Sequence, residues 1–333
     1  MIFIENEGCN DPRINLALEE YVARNFPAQN DYLLFYINQP SIIIGKNQVT
    51  IEEVNQKYIE DNNIYVVRRI SGGGAVYHDL GNLNFSFITN HDIKKLHNFK
   101  QFTKPVIDAL TNLGLDAELI GRNDILIEGK KISGTAQFSN SRRMISHGTL
   151  LLDSDLDEVN NALQVKISKL ESKGHKSVRS RVANINDFLK KRLTMDEFRE
   201  MLLQGLFEGE PNFEKYHLTA EEWNGVYALR DSKYDTWDWN YGRSPKFNIQ
   251  RTKRYPVGII DARIFVEKGR IETLHIFGDF FGQYPVEQLN EKLKGVPYDK
   301  FSIQAALKDV NIQDYFGALD KEDFVQLLYG EDE

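Results

Sequence analysis

The sequence predicts α+β or α/β domains built around a mixed β-sheet. Its 333 residues suit about two domains, and a hydrophobic fraction of 41% with 27% charged residues is typical of a globular chain. Strand-type and helix-type patterns alternate in the first half, whereas residues 157–228 are mostly helical in pattern. Repeats and low-complexity tracts are not found. This mixture favours packed layers of helix and sheet.

The first half begins with a predicted helix and continues with short strands. Asp11-Pro12 is typical of an N-cap followed by proline at the first helical position. Thr50 to Glu53 has the spacing of a capping box, which predicts a second helix through about Ile59. A helical pattern over 102–113 ends before Gly114, a typical C-cap glycine. Strand-type runs occupy 32–37, 41–44, 64–70, 83–88, 125–132 (a hairpin turning at Glu128-Gly129) and 149–152.

The second half contains more helix signals and then a further pair of strands. Thr194 to Glu197 and Thr219 to Glu222 have the spacing of capping boxes. The aromatic and polar segment 232–248 is interpreted as a tether to a second domain. Beyond it, the pattern predicts strands at 257–265 and 270–277, paired around Lys268-Gly269, and helices near 286–294 and 302–310.

Composition and charge exclude several classes of protein. The net charge of -8, from 41 basic and 49 acidic residues, argues against a general nucleic-acid binder, which needs a basic surface. Cys9 is the only cysteine, so an intrachain disulfide and a Cys-rich metal site are excluded. The first eight residues lack the basic start of a signal peptide, and the apolar runs are far shorter than the roughly 20 residues of a membrane helix. We therefore expect a cytoplasmic protein that binds neither nucleic acid nor membranes.

The most informative segment runs from a strand through Arg68-Arg69 into Gly72-Gly73-Gly74. Glycine permits positive φ and close approach of a ligand, and its backbone N–H groups can cradle phosphate oxygens beside an arginine fork. The spacing fits neither a Walker A loop nor a Rossmann fingerprint. A glycine-rich β-turn with exposed arginines is the alternative. The arginines before it and Tyr77-His78-Asp79 after it favour a ligand-binding loop.

A second segment places Asn123 and Asp124 at the mouth of a strand, shortly before Lys130-Lys131. Asp124 could hold Mg²⁺ or orient a lysine. Strand alternation would point the two lysines to opposite faces, and the inner ammonium would then need an anion. The alternative is that both lysines lie in an exposed hairpin, and spacing alone leaves both interpretations open.

Two further features are less specific. The basic run 169–181 could form a mobile loop that closes over a nucleotide or meets an acidic partner, but a solvated loop is the simpler interpretation. His78 and His147 could each line a pocket, although a structural role is the usual one for an isolated histidine. The H-E-x-x-H metal motif and the G-x-S-x-G nucleophile motif are not present.

Taken together, these segments closely resemble lipoate–protein ligases, in order over roughly the first three quarters of the chain. The blocks that carry the resemblance are Asp11-Pro12 with Asn15-Leu16-Ala17 and Glu19-Glu20, Arg68-Arg69-x-Ser71-Gly72-Gly73-Gly74-Ala75-Val76, Gly121-Arg122-Asn123-Asp124, Lys131-Ile132-Ser133-Gly134, His147-Gly148-Thr149-Leu150-Leu151, and Ser177-Val178-Arg179-Ser180-Arg181-Val182. Many ordered blocks are far more specific than any single motif.

The resemblance implies the fold and the reaction. The implied fold is α+β, with a catalytic domain like that of biotin ligases and class II aminoacyl-tRNA synthetases, built on mixed β-sheets. A small α/β accessory domain follows, and with the boundary near Ser244 the domains are 1–244 and 245–333. Lipoate and MgATP would give lipoyl-adenylate and pyrophosphate. A lysine of an apo lipoyl domain, in a 2-oxoacid dehydrogenase E2 subunit or the glycine cleavage H protein, would then displace AMP.

The resemblance also implies roles for individual residues. A lysine between two anions reduces their repulsion, and the motif assigns this catalytic role to Lys131 because it directly precedes Ile-Ser-Gly. The implied ATP-binding residues are Arg69, Gly74, Ala75, Val76, Tyr77 and Lys131. The implied lipoate-binding residues are Ser71, Gly72, Gly73, Asn123, Lys131 and His147. The implied adenylate-covering loop includes Lys173, Gly174, Ser177, Val178 and Arg179, and Asp124 is the expected Mg²⁺ ligand.

Two other functions are compatible with this scaffold. An ATP-independent octanoyl or lipoyl transferase would use a cysteine thioester, but Cys9 is far in sequence from every pocket motif. A non-catalytic protein that binds an acyl-adenylate is the second, and the chain contains neither a recognisable helix-turn-helix nor a basic DNA-binding face. The adenylating ligase is therefore the favoured prediction. Octanoate is expected to fit as well, because a slot for an eight-carbon chain discriminates between the two acids by only a few kcal/mol.

Overall fold

A computed structural model describes residues 1–92, 98–121, 123–163, 181–208, 212–242 and 247–329. Contacts divide the chain into two compact units. The first comprises Met1–Ile44, Ile51–Arg69 and Ala75–Asn240, and the second comprises Gly45–Thr50, Ile70–Gly74 and Tyr241–Glu333. The second unit thus includes two short segments of the first half. The predicted boundary near Ser244 stays a prediction, because it falls among residues outside the described ranges.

Strands supply most of the framework of both units. The second and third strands begin and end at the bounds predicted from their strand-type runs. The strands in chain order are β1 (Ile2–Glu5), β2 (Tyr32–Ile37), β3 (Ser41–Ile44), β4 (Tyr65–Arg68), β5 (Val76–His78), β6 (Asn82–Asn90), β7 (Ala117–Ile120), β8 (Asp124–Ile127), β9 (Lys130–Ser139), β10 (Arg143–Leu151), β11 (Lys215–His217), β12 (Ile249–Tyr255), β13 (Gly258–Glu267) and β14 (Arg270–Gly278).

Several helices start at polar capping residues that are recognisable in the sequence. The Asp11 carboxylate accepts a hydrogen bond from the Arg13 N–H at 2.8 Å, and Gly114 has a φ of 82° after the helix that ends at Asn112. The α-helices in chain order are α1 (Pro12–Asn25), α2 (Gln56–Asp61), α3 (Phe99–Asn112), α4 (Leu156–Ala162), α5 (Met195–Leu206), α6 (Ala220–Leu229), α7 (Trp237–Asn240), α8 (Glu287–Leu293), α9 (Lys300–Ala306), α10 (Gln313–Phe316) and α11 (Lys321–Tyr329).

The first unit is built on a mixed sheet with the strand order β11-β1-β2-β6-β10-β9-β8-β7. β1 runs parallel to β2 and β11, and the remaining neighbours are antiparallel. One face of this sheet packs against α3 and α5 through a core that includes Phe35, Phe85 and Phe198. The opposite face packs against α1 and carries Ser86 and His147 among buried apolar residues such as Leu34 and Ile145. The polar part of this face locates the candidate site.

A smaller sheet in the same unit has the order β4-β3-β5. β3 pairs in parallel with β4 and antiparallel with β5. Ile42, Ile44 and Tyr77 from this sheet form a separate small core with Ile59 of α2 and Ala162 of α4. The sheet therefore holds the end of β4 and the start of β5, which flank the glycine cluster in sequence.

The second unit contains the antiparallel sheet β12-β13-β14. Ile260, Ile264 and Leu274 lie in its core, together with Leu289 of α8 and Phe324 of α11. Among the described residues, no helix is both long and apolar enough to cross a bilayer.

The structure corrects one local prediction and confirms another. Thr50–Glu52 form only a 3₁₀ turn, and α2 begins later, with the Asn55 side chain accepting a bond from the Tyr58 N–H. The predicted continuous helix is wrong because Val54 leaves the turn to form a β-bridge with Leu163. The predicted hairpin at Glu128-Gly129 is confirmed, since both residues have the positive φ of a two-residue turn, at 49° and 75°.

Candidate functional site

Lys131 lies on β9 beside Asp124, the first residue of β8. Its Nζ is 2.8 Å from Asp124 Oδ1, and the two side chains are 22% and 18% exposed. The ammonium is therefore half-buried and directly paired with a carboxylate. Lys130, by contrast, is exposed. Of the two interpretations that the sequence left open, the structure favours the one in which the two lysines differ in environment.

A third charged group joins this pair. Arg181 Nη2 is 2.6 Å from Asp124 Oδ2, so the two carboxylate oxygens contact two different cations. Arg181 belongs to a segment that adds to β9: the Lys131 N–H donates to the Arg181 carbonyl, and the Ala183 N–H donates to the Lys131 carbonyl. The last residue of the basic run and the two residues after it thus reach the candidate catalytic lysine. Lys173, Gly174, Ser177, Val178 and Arg179, the predicted covering-loop residues, lie outside the described residues.

Asn123 is fixed against the next part of β9. Its Nδ2 donates to the Thr135 carbonyl at 2.6 Å, and its own carbonyl accepts bonds from the Thr135 N–H and hydroxyl. The structure therefore brings Asn123, Asp124 and Lys131 together at one end of β8 and β9. The hydrogen bonds between Asn123 and Thr135 fix the backbone where β8 begins beside β9.

His147 lies on the polar face of the main sheet, between β6 and β9. Its register partners are Ser86 and Ala136, both small residues. Its Nδ1 is 2.9 and 3.0 Å from the two carboxylate oxygens of Glu19, a buried residue of α1. Nδ1 therefore carries a proton that it donates to Glu19. The arrangement fixes the imidazole above a strip of the sheet with little side-chain volume.

Arg69 and Tyr36 lie in the same electrostatic environment. Burial lowers the pKa of Arg69 to about 10, and the nearby Tyr36 and Glu19 side chains partly oppose that shift. Its Nη1 donates to the Ile43 carbonyl at 3.0 Å. Burial, reinforced by Glu19, raises the pKa of Tyr36 well above its usual value. At neutral pH, Arg69 is therefore a buried cation and Tyr36 a neutral hydroxyl.

His78 is buried at the end of β5. Asn38 Nδ2 donates to its Nδ1 at 3.0 Å, an assignment supported by the bond that Asn15 Nδ2 donates to Asn38 Oδ1. The opposite nitrogen, Nε2, makes no hydrogen bond within the described residues. Burial lowers the pKa of His78 to about 3, helped by repulsion from Arg69 and His147. The neutral His78 imidazole therefore has a buried Nε2–H that can donate a hydrogen bond to an acceptor atom of a ligand.

The segment Ala75-Val76-Tyr77 enters and forms β5. Within the described residues, β5 is an edge strand of its small sheet, so some of its backbone N–H and C=O groups point away from β3. The Tyr77 side chain lies in the small core, where burial raises its pKa. The backbone of this segment, rather than the tyrosine hydroxyl, is thus available for recognition.

In the second unit, Ser71 to Gly74 pack against Gly45 to Gln48. The Lys46 N–H donates to the Ser71 carbonyl, and the Gly45 N–H donates to Gln48 Oε1, both at 2.8 Å. A Cβ on Gly45 would overlap the Gly73 carbonyl, and one on Gly72 would overlap the Phe280 carbonyl. Glycine is required at both places by close backbone contact.

The two remaining glycines of the cluster differ from each other. Gly73 has a φ of 92°, which favours glycine by conformation. A Cβ on Gly74 would meet nothing within 4 Å among the described residues, so no described contact requires glycine at this position.

Mg²⁺ was expected at Asp124. Each of its oxygens contacts a cationic side chain, and no group of three His, Cys, Asp or Glu side chains within the described ranges could hold a metal ion. Mg²⁺ that binds together with a nucleotide needs only one or two protein carboxylates, so Asp124 as a Mg²⁺ ligand stays a prediction. The contacts favour the other role considered for Asp124, which is to orient a lysine.

Comparisons with known proteins assign this site to a family. Residues 11–207 match the profile of the lipoyl protein ligase A/B catalytic domain, and residues 244–328 match that of the bacterial lipoate protein ligase C-terminus. Lipoate-protein ligase LplJ of Bacillus subtilis is 56% identical, over 99% of this chain and all of that protein. Lipoate–protein ligase 1 of Staphylococcus aureus is 53% identical, over 98% of this chain and all of that protein. The chain belongs to the lipoate–protein ligase family. It is an ATP-dependent ligase that attaches lipoate to protein.

Solved structures of other lipoate ligases have the same fold. The Plasmodium falciparum protein LipL1, in complex with lipoate, has a TM-score of 0.80 at 22% identity and covers 98% of this chain and 97% of its own. The bipartite ligase of Thermoplasma acidophilum, studied with its E2 lipoyl domain, has a TM-score of 0.65 at 36% identity, covering 74% and 98%. A lipoate-protein ligase A bound with ATP has a TM-score of 0.61 at 36% identity, covering 70% and 94%.

Sequence reasoning missed several residues of this lipoate–protein ligase that contact the candidate site residues. Glu19 was noted only as part of a matching block, yet it holds His147 and lies beside Tyr36. A usable signal was its i,i+4 spacing from Asn15, which places two polar residues on an otherwise apolar helix face. The contribution of Gly45 to Gln48 had no comparable signal, because it depends on contacts between segments far apart in sequence.

Proposed function

We propose that Lys131 of this lipoate–protein ligase is the cation that brings a lipoate carboxylate and the α-phosphate of ATP into bonding distance. Both reacting groups are anionic, so a fixed positive charge between them lowers their repulsion and stabilises charge in the transition state. The observation that carries the proposal is the half-buried Lys131 Nζ, held 2.8 Å from Asp124 Oδ1. In this step, an oxygen of the lipoate carboxylate forms a bond to the α-phosphorus of ATP, and the bond between that phosphorus and pyrophosphate breaks.

The proposed nucleotide site uses Arg69 and the backbone of Gly74, Ala75, Val76 and Tyr77. Support comes from the position of β5, which lies at the edge of its sheet in the part of the chain that the structure describes. Arg69 is buried and cationic at neutral pH, so an anion placed beside it would meet a charge in a low-dielectric environment. Lys131 would supply a second positive charge, next to the α-phosphate.

The proposed lipoate site is lined by Ser71, Gly72, Gly73, Asn123 and His147, with Lys131 at the carboxylate end. Support comes from the small residues Ser86 and Ala136 that flank His147 in the sheet. Strand alternation puts Ala136 on the same face as Gly134, which lies beside the Lys131 ammonium. A chain with a polar head and an apolar tail fits such a strip.

In the second proposed step, the ε-amine of an acceptor lysine attacks the lipoyl carbonyl of the adenylate and AMP leaves. The proposed acceptors are apo lipoyl domains of 2-oxoacid dehydrogenase E2 subunits and the glycine cleavage H protein. The loop with Lys173, Gly174, Ser177, Val178 and Arg179 is proposed to cover the adenylate. The proposed compartment is the cytoplasm, where ATP is available for the first step.

A direct test incubates the chain with ATP, lipoate and a purified apo lipoyl domain and measures the mass of the acceptor. A gain of one lipoyl group that depends on ATP is expected. Cys9→Ser is the control for a thioester route, because burial raises the pKa of the Cys9 thiol and disfavours the thiolate. Undiminished modification by the Cys9→Ser protein is expected. Transfer without ATP that is lost in this variant would instead identify a transferase.

Lys131→Ala is expected to abolish adenylate formation and leave the fold intact. Removing a preorganised cation of this kind costs about 100- to 1000-fold in rate. Pyrophosphate release in the presence of lipoate measures the effect, and circular dichroism checks the fold. Lys130→Ala is the matched control and should remain within about threefold of the parent, because a surface substitution of this kind has little effect. Normal pyrophosphate release by the Lys131→Ala protein would refute the assignment.

A further inference from the structure

Lys131 reaches Asp124 because of an irregularity in the β8–β9 pairing. Asp124 is paired with Gly134 and Ile125 with Ser133, but Leu126 is paired with Lys131, so Ile132 has no partner in the ladder. In a regular strand, residues 131 and 134 would point to opposite faces. The extra residue restores them to the same face, which is how a β-bulge re-aims a side chain.

The core fixes which face this is. Ile125 and Ile132 are fully buried in the main hydrophobic core of the first unit. Asp124 and Gly134, the next pair along the ladder, therefore face away from that core. Lys131 joins them on the polar side of the sheet.

Gly134 provides the space that the Lys131 ammonium occupies. A Cβ at residue 134 would lie 2.9 Å from Lys131 Nζ and 3.2 Å from Lys131 Cε. Within the described residues, and apart from its chain neighbours, no other heavy atom would lie within 4 Å of that Cβ. The φ of Gly134 is outside the left-handed region, so the backbone itself accepts alanine. Glycine is therefore required at residue 134 by the end of the Lys131 side chain and not by the backbone conformation.

Asp124 restrains the same ammonium from the neighbouring strand. Its Oδ1 contacts Lys131, and its Oδ2 contacts Arg181 at 2.6 Å. A carboxylate bonded on both oxygens has a fixed orientation, so its contact with Nζ is directional. The Asp124 carboxylate on β8 thereby holds the Lys131 ammonium in the space that Gly134 leaves on β9 by having no side chain.

We propose that Gly134 and Asp124 are positioning residues for the adenylation step, which set where the Lys131 charge lies between the two reacting anions. This inference rests on the proposed role of Lys131. A side chain at residue 134 would displace Nζ from its site. Neutralising Asp124 would release it.

The first experiment compares Gly134→Ala with Ser133→Ala, a substitution of a buried residue on the other face of the same strand. The thermal midpoint of Gly134→Ala should stay within about 2 °C of the parent, because only a flexible side-chain tip must move. The kcat for pyrophosphate release should fall about 10- to 100-fold, the usual effect of a misplacement near 1 Å, with KM for ATP changed much less. Ser133→Ala should retain the parent kcat.

Repeating the Gly134→Ala substitution in a protein that lacks the Lys131 side chain distinguishes a positioning role of Gly134 from a general structural role. In the Lys131→Ala protein, adding Gly134→Ala should change neither ATP affinity nor thermal midpoint, since no ammonium is left to displace. A parent-like kcat for Gly134→Ala would overturn the inference, as would an equal loss of ATP affinity in both backgrounds. If Lys131→Ala itself kept its activity, the proposed function would fail before this inference was reached.

The test of Asp124 uses Asp124→Asn with a titration of Mg²⁺. A positioning role predicts a kcat at least about tenfold lower at every Mg²⁺ concentration, with unchanged half-saturating Mg²⁺. Asp124→Glu, which keeps the charge, should recover part of the loss. A raised Mg²⁺ requirement in Asp124→Asn, reversed by excess Mg²⁺, would show that Asp124 is a metal ligand and overturn its assignment.

Discussion

Glu19 and Arg69 set the charge of the buried polar face in the first unit. Both are nearly inaccessible to solvent, with exposed fractions of 1% and 6%. A buried charge is costly unless an opposite charge or hydrogen bonds compensate it, and Glu19 receives a bond from His147 and lies close enough to Arg69 to oppose the effect of burial on its pKa. Each of the two buried charges is therefore partly compensated by another group of the protein.

His78 makes the stability of the protein depend on pH. Its pKa is about 3 in the folded chain, against about 6.5 in an unfolded chain. Above pH 6.5, His78 is neutral in both the folded and the unfolded chain, so its titration does not lower the free energy of unfolding. Below it, only the unfolded state takes up the proton, so the free energy of unfolding falls by up to about 1.4 kcal/mol per pH unit until the folded pKa is reached.

The expected result is measured as a difference between the parent and His78→Gln. The excess stability of the parent should shrink by about 2 to 3 kcal/mol between pH 6.5 and 4.5, as followed by urea unfolding. Other titrating groups are common to both proteins and cancel. Parallel pH profiles for the two proteins would contradict a buried neutral imidazole at residue 78.

Helix α5 illustrates how a local signal acts at the scale of an element. The Thr194 hydroxyl accepts a bond from the Glu197 N–H at 3.2 Å, and the Glu197 carboxylate accepts one from the Thr194 N–H at 2.8 Å. Phe198 and Leu202, on the buried face of the helix, pack in the main core. The cap therefore fixes the start of a helix that supports the sheet below the site.

Thr194→Ala should destabilise the protein by about 0.5 to 2 kcal/mol, because it leaves a helix N–H without its capping oxygen. Thr194→Ser is the matched control and should lose much less, since its hydroxyl can still accept the bond. Urea unfolding of the three proteins measures the difference. Equal stability of the alanine and serine variants would show that the cap contributes nothing.

The β8–β9 hairpin shows where element-level prediction stops. The sequence predicts its turn, because Glu128-Gly129 has turn chemistry between two apolar runs. It does not predict the irregularity at Ile132, which arises when Ile125 and Ile132 both enter the core. A position on the hairpin was thus predictable, whereas the face reached by Lys131 was decided by packing.

At the scale of the whole molecule, two segments far apart in sequence are tied together where the first unit ends. Arg68 is fully buried, and its Nε donates to the Trp239 carbonyl at 2.9 Å. Its backbone N–H donates to Asn240 Oδ1 at 2.8 Å. Asn240 is the last residue of the first unit, and Arg68 lies one residue before another of its ends. A residue beside the glycine cluster is therefore anchored to the middle of the segment 232–248, which the sequence predicts to be a tether.

The strand β12 was not predicted, although its neighbours were. Ile249–Tyr255 contains Arg251, Lys253 and Arg254, and most of its residues are at least partly exposed. Only Ile249 and Tyr255, at its two ends, are apolar or aromatic, so the strand lacks the alternation of apolar and polar residues that marks a half-buried strand. Pairing with β13 supplies the stabilisation that the local sequence does not reveal.

The sequence by itself determined the family, the ordered motifs and most helix and strand locations, because these depend on local patterns of apolar, capping and turn residues. Only the tertiary structure decided that Glu19 orients His147, that Asp124 contacts two cations, and that Gly45 packs against Gly73. Each of these depends on a distance between residues that are separate in sequence. Burial likewise lowers the pKa of His78, because the cost of desolvating a charge is set by the surrounding fold.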